Sequence, residues 1–230
     1  MQDIRANVES VRERIARAAQ RAGRQPGDVL LIGVSKTVEA ERVRGAVAAG
    51  ITALGENRVQ EARAKIAELG RPAAWHLIGQ LQTNKAKEAV ELFDVIHSVD
   101  RLELAHELDR RAHARDRVIE VLLQVNVGGE ASKSGVAPDA VAETLEALQP
   151  LRHLKVRGLM TIPPEVERAE EARGWFQALR KLAERHALPE LSMGMSGDFE
   201  VAVEEGATMV RVGTAIFGPR PPRAQGAVIQ

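Results

Sequence analysis

Residues 30–38, LLIGVSKTV, run apolar up to a single lysine, Lys36. A lysine there is either the solvated end of a strand or an amine held for chemistry on a carbonyl carbon. The other end of the chain offers it a counterpart. In SMGMSGDFEVAVEEGATMVRVGTAIFG, residues 192–218, Ser196 and Gly197 open one helical stretch, and Gly213 and Thr214 open a second short segment. Small residues let backbone N–H groups approach anionic oxygens, helix N-termini favour negative charge, and the two hydroxyls add hydrogen bonds. An amine facing an anion cup suits pyridoxal 5′-phosphate (PLP), which has an aldehyde at one end and a phosphate at the other. A sugar phosphate handled by a Schiff-base aldolase is a separate reading of the same lysine. Between the two turns lies Arg211, whose guanidinium stays protonated and can only donate. Beside a pyridine nitrogen it would keep that nitrogen unprotonated and weaken the ring as an electron sink.

These groups can act together only if the fold brings them to one place. After Gly23 and Pro26, short apolar runs alternate with helical stretches. The runs fall at 29–35, 51–55, 73–79, 93–99, 118–127, 153–162, 190–195 and 208–217, and the later helices at 101–115, 138–149, 165–186 and 197–206. Continuous apolar strands separated by helices belong to parallel sheets covered on both faces. Eight such units predict a TIM-type (β/α)8 barrel, whose chemistry gathers at the carboxyl ends of the strands. An open doubly wound sheet is the alternative, but neither G-x-G-x-x-G nor G-x-x-x-x-G-K-[ST] is present. Ahead of the barrel, Ile4, Val8, Val11, Ile15 and Ala19 recur at helical spacing and predict an extra N-terminal helix. No linker divides residues 1–230, so one domain is expected, with 221–230 an irregular Pro-rich tail.

Composition removes several function classes. Lys plus Arg total 32 and Asp plus Glu total 32, so no net field draws nucleic acid or an anionic membrane. Aromatics are 3% of residues and Tyr is absent, which leaves little to stack bases on. Without Cys there are no disulfides and no thiolate ligands, and no apolar run reaches membrane-spanning length. The chain reads as cytoplasmic and, lacking an evident exposed apolar stripe, as a monomer. No H-E-x-x-H or close His/Asp/Glu cluster suggests a metal.

The predicted strand ends deliver further polar groups to the same mouth: Glu56 to Arg58, His76 and Gln80, His97, Ser98 and Asp100, Asn126, Thr161 and Ser192. His76 and His97 read equally well as satisfied core histidines. The loop NVGGEASKSG, 126–135, reads as a mobile flap whose Lys133 reaches a phosphate or carboxylate, or as a solvated turn.

Taken together, GVSKT, LGENRVQEA, WHLIGQLQTNK, HSVD, GLMTI and the 192–218 block resemble the pyridoxal phosphate homeostasis protein family. Its members are single-domain barrels similar to the N-terminal domain of alanine racemase. The resemblance runs from the first helix to about Arg220. It implies that Lys36 carries PLP as a Schiff base and that Ser196, Gly197, Gly213 and Thr214 hold the phosphate. It also implies that Arg211 faces the ring nitrogen and that Asn57 and His76 line the pocket. The implied role is regulation of vitamin B6 and amino-acid balance, with free amino acids and PLP-dependent apoenzymes as partners and no established turnover. A PLP-dependent amino-acid racemase is the alternative. Such enzymes resemble this barrel but add a β domain and use a tyrosine as one of two bases, and this chain has no tyrosine.

Overall fold

A computed structural model describes residues 3–130 and 133–219. The helix α1 (Ile4–Arg21) leads into β1 (Leu30–Val34), α2 (Ala40–Ala48), β2 (Ala53–Glu56), α3 (Val59–Leu69), β3 (Ala74–Leu77) and α4 (Ala86–Leu92). The alternation continues through β4 (Val95–Val99), α5 (Leu102–His113), β5 (Ile119–Gln124), α6 (Val141–Leu148), β6 (Leu154–Met160) and α7 (Arg173–Arg185). It ends with β7 (Glu190–Ser192), α8 (Phe199–Glu204), β8 (Met209–Val212) and α9 (Thr214–Phe217). The eight strands are parallel and close in chain order, β1 pairing with both β2 and β8. The expected barrel is therefore present. Arg220 and the tail at 221–230 lie outside the described residues.

Two apolar layers hold the barrel. The larger packs the outer strand faces against the helices, around Trp75, Phe93, Phe176 and Phe199. A smaller one fills the barrel axis with Ile32, Ala53, Leu122, Met160 and Met209. Alternation along a strand puts Arg211 on the same face as Met209, and Ser192 pairs in register with Met209. The interior is thus apolar in one layer and polar in the next.

The α1 stripe is buried as its spacing predicted, through Val8, Val11, Ile15, Ala18 and Ala19. Asp3 caps the helix by accepting the N–H groups of Arg5 and Ala6. Farther along, Asn7 Nδ2 donates to Ile216 O at 2.9 Å, and Arg14 pairs with Glu200 at 2.8 Å. The leading helix therefore fastens α8 and α9, the two elements that follow the glycine-hydroxyl turns.

Several boundaries differ from expectation. The run 208–217 is not one strand: β8 stops at Val212, the chain turns at Gly213, and α9 follows. Ile216 and Phe217 keep the run apolar because α9 buries them. The helix expected over 165–186 begins at Arg173, after a short 3-10 turn over Ala169–Ala172. Among the described residues, no helix is long and apolar enough to cross a membrane.

Candidate functional site

Lys36 sits in the turn directly after β1 and is half-buried. It shares a narrow crevice with Val34, Val38, Gly213, Thr214, Phe217 and Gly218. The β1–β8 seam thus brings the amine-bearing turn against one of the two expected anion turns. The other arrives from β7. Ser196 Oγ accepts hydrogen bonds from the N–H groups of Gly213, at 3.3 Å, and Ala215, at 3.4 Å. Two backbone amides after β8 already converge on one oxygen, the arrangement a phosphate oxygen needs.

The β7 turn is shaped by Gly194 and Asp198. Gly194 has φ +89, and a Cβ there would come within 2.6 Å of Ala202 Cβ and 2.9 Å of Phe199 Cα. Only glycine fits, so the chain can swing Ser196 toward β8. Asp198 Oδ1 accepts the Met195 N–H at 2.6 Å and closes the turn. Burial pushes the Asp198 carboxyl above its ordinary range, while the Met195 N–H and the Arg211 guanidinium pull it down.

Arg211 is 3% exposed, and burial lowers its pKa to about 10, so it is still protonated at neutral pH. Its NH1 donates to Ser192 Oγ at 2.6 Å and its NH2 to Thr161 O at 2.8 Å. A guanidinium only donates, so Ser192 Oγ accepts from it, and the same oxygen lies 2.9 Å from His97 Nδ1. His97 Nε2 in turn shares a hydrogen bond with His76 Nδ1 at 2.8 Å. Four strands, β3, β4, β7 and β8, contribute to this buried chain of hydrogen bonds.

His76, expected from the family resemblance to line the pocket, is part of this buried chain. It is 3% exposed and tied to His97 inside the barrel. Burial lowers its pKa to about 4 against the pull of Asp94, and that of His97 lies well below its ordinary value for the same reason. Neutral imidazoles in the fold meet an unfolded chain whose histidines take up protons near 6.5. Between those values the unfolded state binds more protons, so stability falls as pH falls. We expect His76 alone to remove about 2 kcal/mol between about pH 7 and about pH 5, read from urea midpoints. His76→Gln should show a shallower dependence; an unchanged slope would mean that the ring does not titrate as a buried neutral group.

Asn57 follows β2 and lines an open depression with Arg58, Gln60, Gln80 and Lys85. Its Oδ1 is buried and has no hydrogen-bond partner among the described residues, a vacancy that a donor can fill. Gly197 and Asp198 border a second depression with Lys133, Ile162, Pro163 and Met195. Lys133 Nζ pairs with Glu130 at 2.6 Å and donates to Pro163 O at 2.9 Å. The loop expected to be a mobile flap is closed by Asn126 N to Val136 O and Asn126 Nδ2 to Glu130 O, both 2.9 Å; residues 131–132 lie outside the described ones. Among the described residues, no group of three His, Cys, Asp or Glu side chains is placed to hold a metal ion.

Comparison with known proteins gives the family and the fold. The model of the alanine racemase N-terminal domain family matches residues 6–221. A pyridoxal phosphate homeostasis protein from Aquifex aeolicus is 48% identical over 217 residues, covering 91% of this chain and 95% of that protein. The chain belongs to the pyridoxal phosphate homeostasis family. The Escherichia coli member is 43% identical, with 96% of this chain and 98% of that one covered. Among solved structures, PipY of Synechococcus elongatus with PLP bound is 43% identical, with a TM-score of 0.76, covering 89% of this chain and 100% of that one. An alanine racemase from Clostridium difficile has the same barrel, with a TM-score of 0.70 at 15% identity, and this chain covers 58% of its length.

Sequence reasoning placed Lys36, Ser196, Gly197, Arg211, Gly213 and Thr214 at the site, and the structure gathers them around the ends of β1, β7 and β8. It missed the role of His97 and Ser192 in holding Arg211. The signal for Ser192 was its place at a strand end one strand before Arg211. His97 had the same kind of signal, its place near the end of the predicted strand 93–99, and nothing in the sequence named its partner.

Proposed function

We propose that this protein binds PLP, holds it covalently at Lys36, and serves PLP and amino-acid balance in the cytosol without enzymatic turnover. One observation carries the reading. Lys36 shares a crevice with Gly213 and Thr214, and the next amide-bearing turn is joined to it through Ser196. The residues fit the cofactor: backbone amides and two hydroxyls for the phosphate, an amine across the seam, and a buried Arg211 between them. Asn57 Oδ1, the orphaned acceptor, would take a donor from the bound molecule or its water. When bound, the cofactor supplies an aldehyde carbon whose oxygen leaves as water when an amine nitrogen takes its place. Its presence in PipY, 43% identical over all of that chain's length, supports the assignment.

Arg211 holds the part of the site that decides between carrier and enzyme. Protonated and donating, it offers a pyridine nitrogen no proton, so carbanion formation at an amino acid gains little from the ring. A racemase built this way needs two well-placed bases, and the tyrosine such enzymes use has no equivalent among residues 1–230. One general base is typically worth ~10²–10⁴-fold. Free amino acids and apoenzymes awaiting PLP are the partners this reading names, with the protein acting as a monomer.

The purified protein should be yellow, and its absorbance should change when amino acids are added. In D₂O with a panel of amino acids, α-proton exchange and chiral chromatography should detect almost no product. Turnover above ~1 s⁻¹, the low end for enzymes, would overturn the carrier reading in favour of the racemase.

A further inference from the structure

Thr37, the residue after Lys36, has φ +61. The N–H of Val38 donates to Ser35 O at 3.0 Å, so Ser35 to Val38 form a β-turn with Lys36 and Thr37 at its two central positions. A positive φ at the second of these marks a turn that ordinarily takes glycine. A β-branched residue there is strained, and such strain persists only where surrounding contacts impose it.

Those contacts come from α3. Glu61 Oε1 accepts the Thr37 N–H, and Lys65 Nζ donates to Ser35 O. Thr37 Oγ1 adds a bond back to Lys36 O at 2.6 Å. Lys65 is itself fixed. Its ammonium lies 2.6 Å from Glu56 Oε1 and 3.6 Å from Glu61 Oε1, and Glu56 Oε1 also accepts Ser35 Oγ at 2.7 Å. Glu56 is fully buried, and desolvation raises its pKa against the opposing pull of Lys65. A buried carboxylate–ammonium pair thus anchors the base of the turn, and a second carboxylate grips its strained corner.

We infer that Glu61 and Lys65 are positioning residues that clamp the peptide units on either side of Lys36, holding a strained turn that presents its amine to the cofactor. The inference rests on the cofactor reading above and adds to it the groups that prepare the lysine. Neither residue needs to touch the cofactor. Held in advance, the amine loses less freedom when it bonds.

The experiment follows the rate at which PLP labels Lys36, by borohydride quenching and peptide mass mapping, with thermal melting alongside. Glu61→Ala leaves the Lys65–Glu56 pair in place, so the protein should fold while labelling slows about tenfold. Glu61→Gln keeps an acceptor oxygen and should label near the wild-type rate. Adding Thr37→Gly to Glu61→Ala should restore the rate to within about threefold, because glycine adopts positive φ without the Cβ penalty. Rescue of this kind separates positioning from general destabilisation. If wild-type protein is labelled at Lys36 and Glu61→Ala keeps the same rate, the clamp is not a positioning device. Failure of Thr37→Gly to rescue a slowed Glu61→Ala protein overturns the inference as well. If wild-type protein takes no label at Lys36, the cofactor reading itself falls, and the inference falls with it.

Discussion

Borohydride reduction of a Lys36→Ala protein mixed with PLP is expected to trap at least ~10²-fold less covalent adduct than wild type, in which the pyridoxyl group maps to Lys36. The size of the effect follows from proximity: an amine held against its electrophile reacts as though at very high local concentration, and a free lysine elsewhere does not. Other amines near the mouth are poor substitutes. Lys65 is buried and tied to Glu56 and the Ser35 carbonyl, and Lys133 is engaged by Glu130 and Pro163. Lys36→Arg is the control for charge, since a guanidinium keeps the cation without offering a nucleophile. PLP should still bind either variant weakly through the turns at Ser196 and Gly213, so loss of colour alone does not decide the matter. The same yield of adduct on another lysine in Lys36→Ala would sink the assignment.

Gly158→Ala should severely destabilise the barrel. Gly158 pairs with Glu190 across β6 and β7, and a Cβ there would lie 1.8 Å from Glu190 O and 2.5 Å from its carbonyl carbon. Both atoms belong to backbone, so no rotamer relieves the clash and the strands must part. The wall is thin at this place: β7 has three residues, and its register with β8 rests on Ser192 and Met209. Ser192 in turn carries Arg211 and His97. A loss above ~4 kcal/mol is expected, a large part of the 5–15 kcal/mol available to most domains. Gly174→Ala is the matched control. It lies in α7 with nothing within 4 Å of the added carbon, and should be neutral or stabilising by up to ~1 kcal/mol. A Gly158→Ala protein with the wild-type urea midpoint would refute the argument.

By itself, the order of residues determined the eight alternating units, the leading helix, the lysine at the first strand end and the two glycine-hydroxyl turns. Each rests on local signals: apolar runs, helical spacing, small residues at fixed positions. Where the local signal is shared by two structures, it failed. The run 208–217 is apolar at most positions, and a buried strand followed by a short helix that buries Ile216 and Phe217 has the same appearance.

Barrel closure decided the rest. His97 and Ser192 are 95 residues apart in the chain, and only the meeting of β4 and β7 inside the barrel makes them partners. His76 read equally well as a pocket residue or a core histidine, and only the fold shows its ring buried against His97. Lys65 lies on α3 and is almost wholly buried. Packing α3 against the ends of β1 and β2 buries it against Glu56 and aims its ammonium at the Ser35 carbonyl. Pattern along a chain reports which groups exist and how often they recur. Desolvation and hydrogen-bond partners depend on atoms far away in sequence, so the burial and the partners of His76, His97, Lys65 and Arg211 emerge only in the tertiary structure.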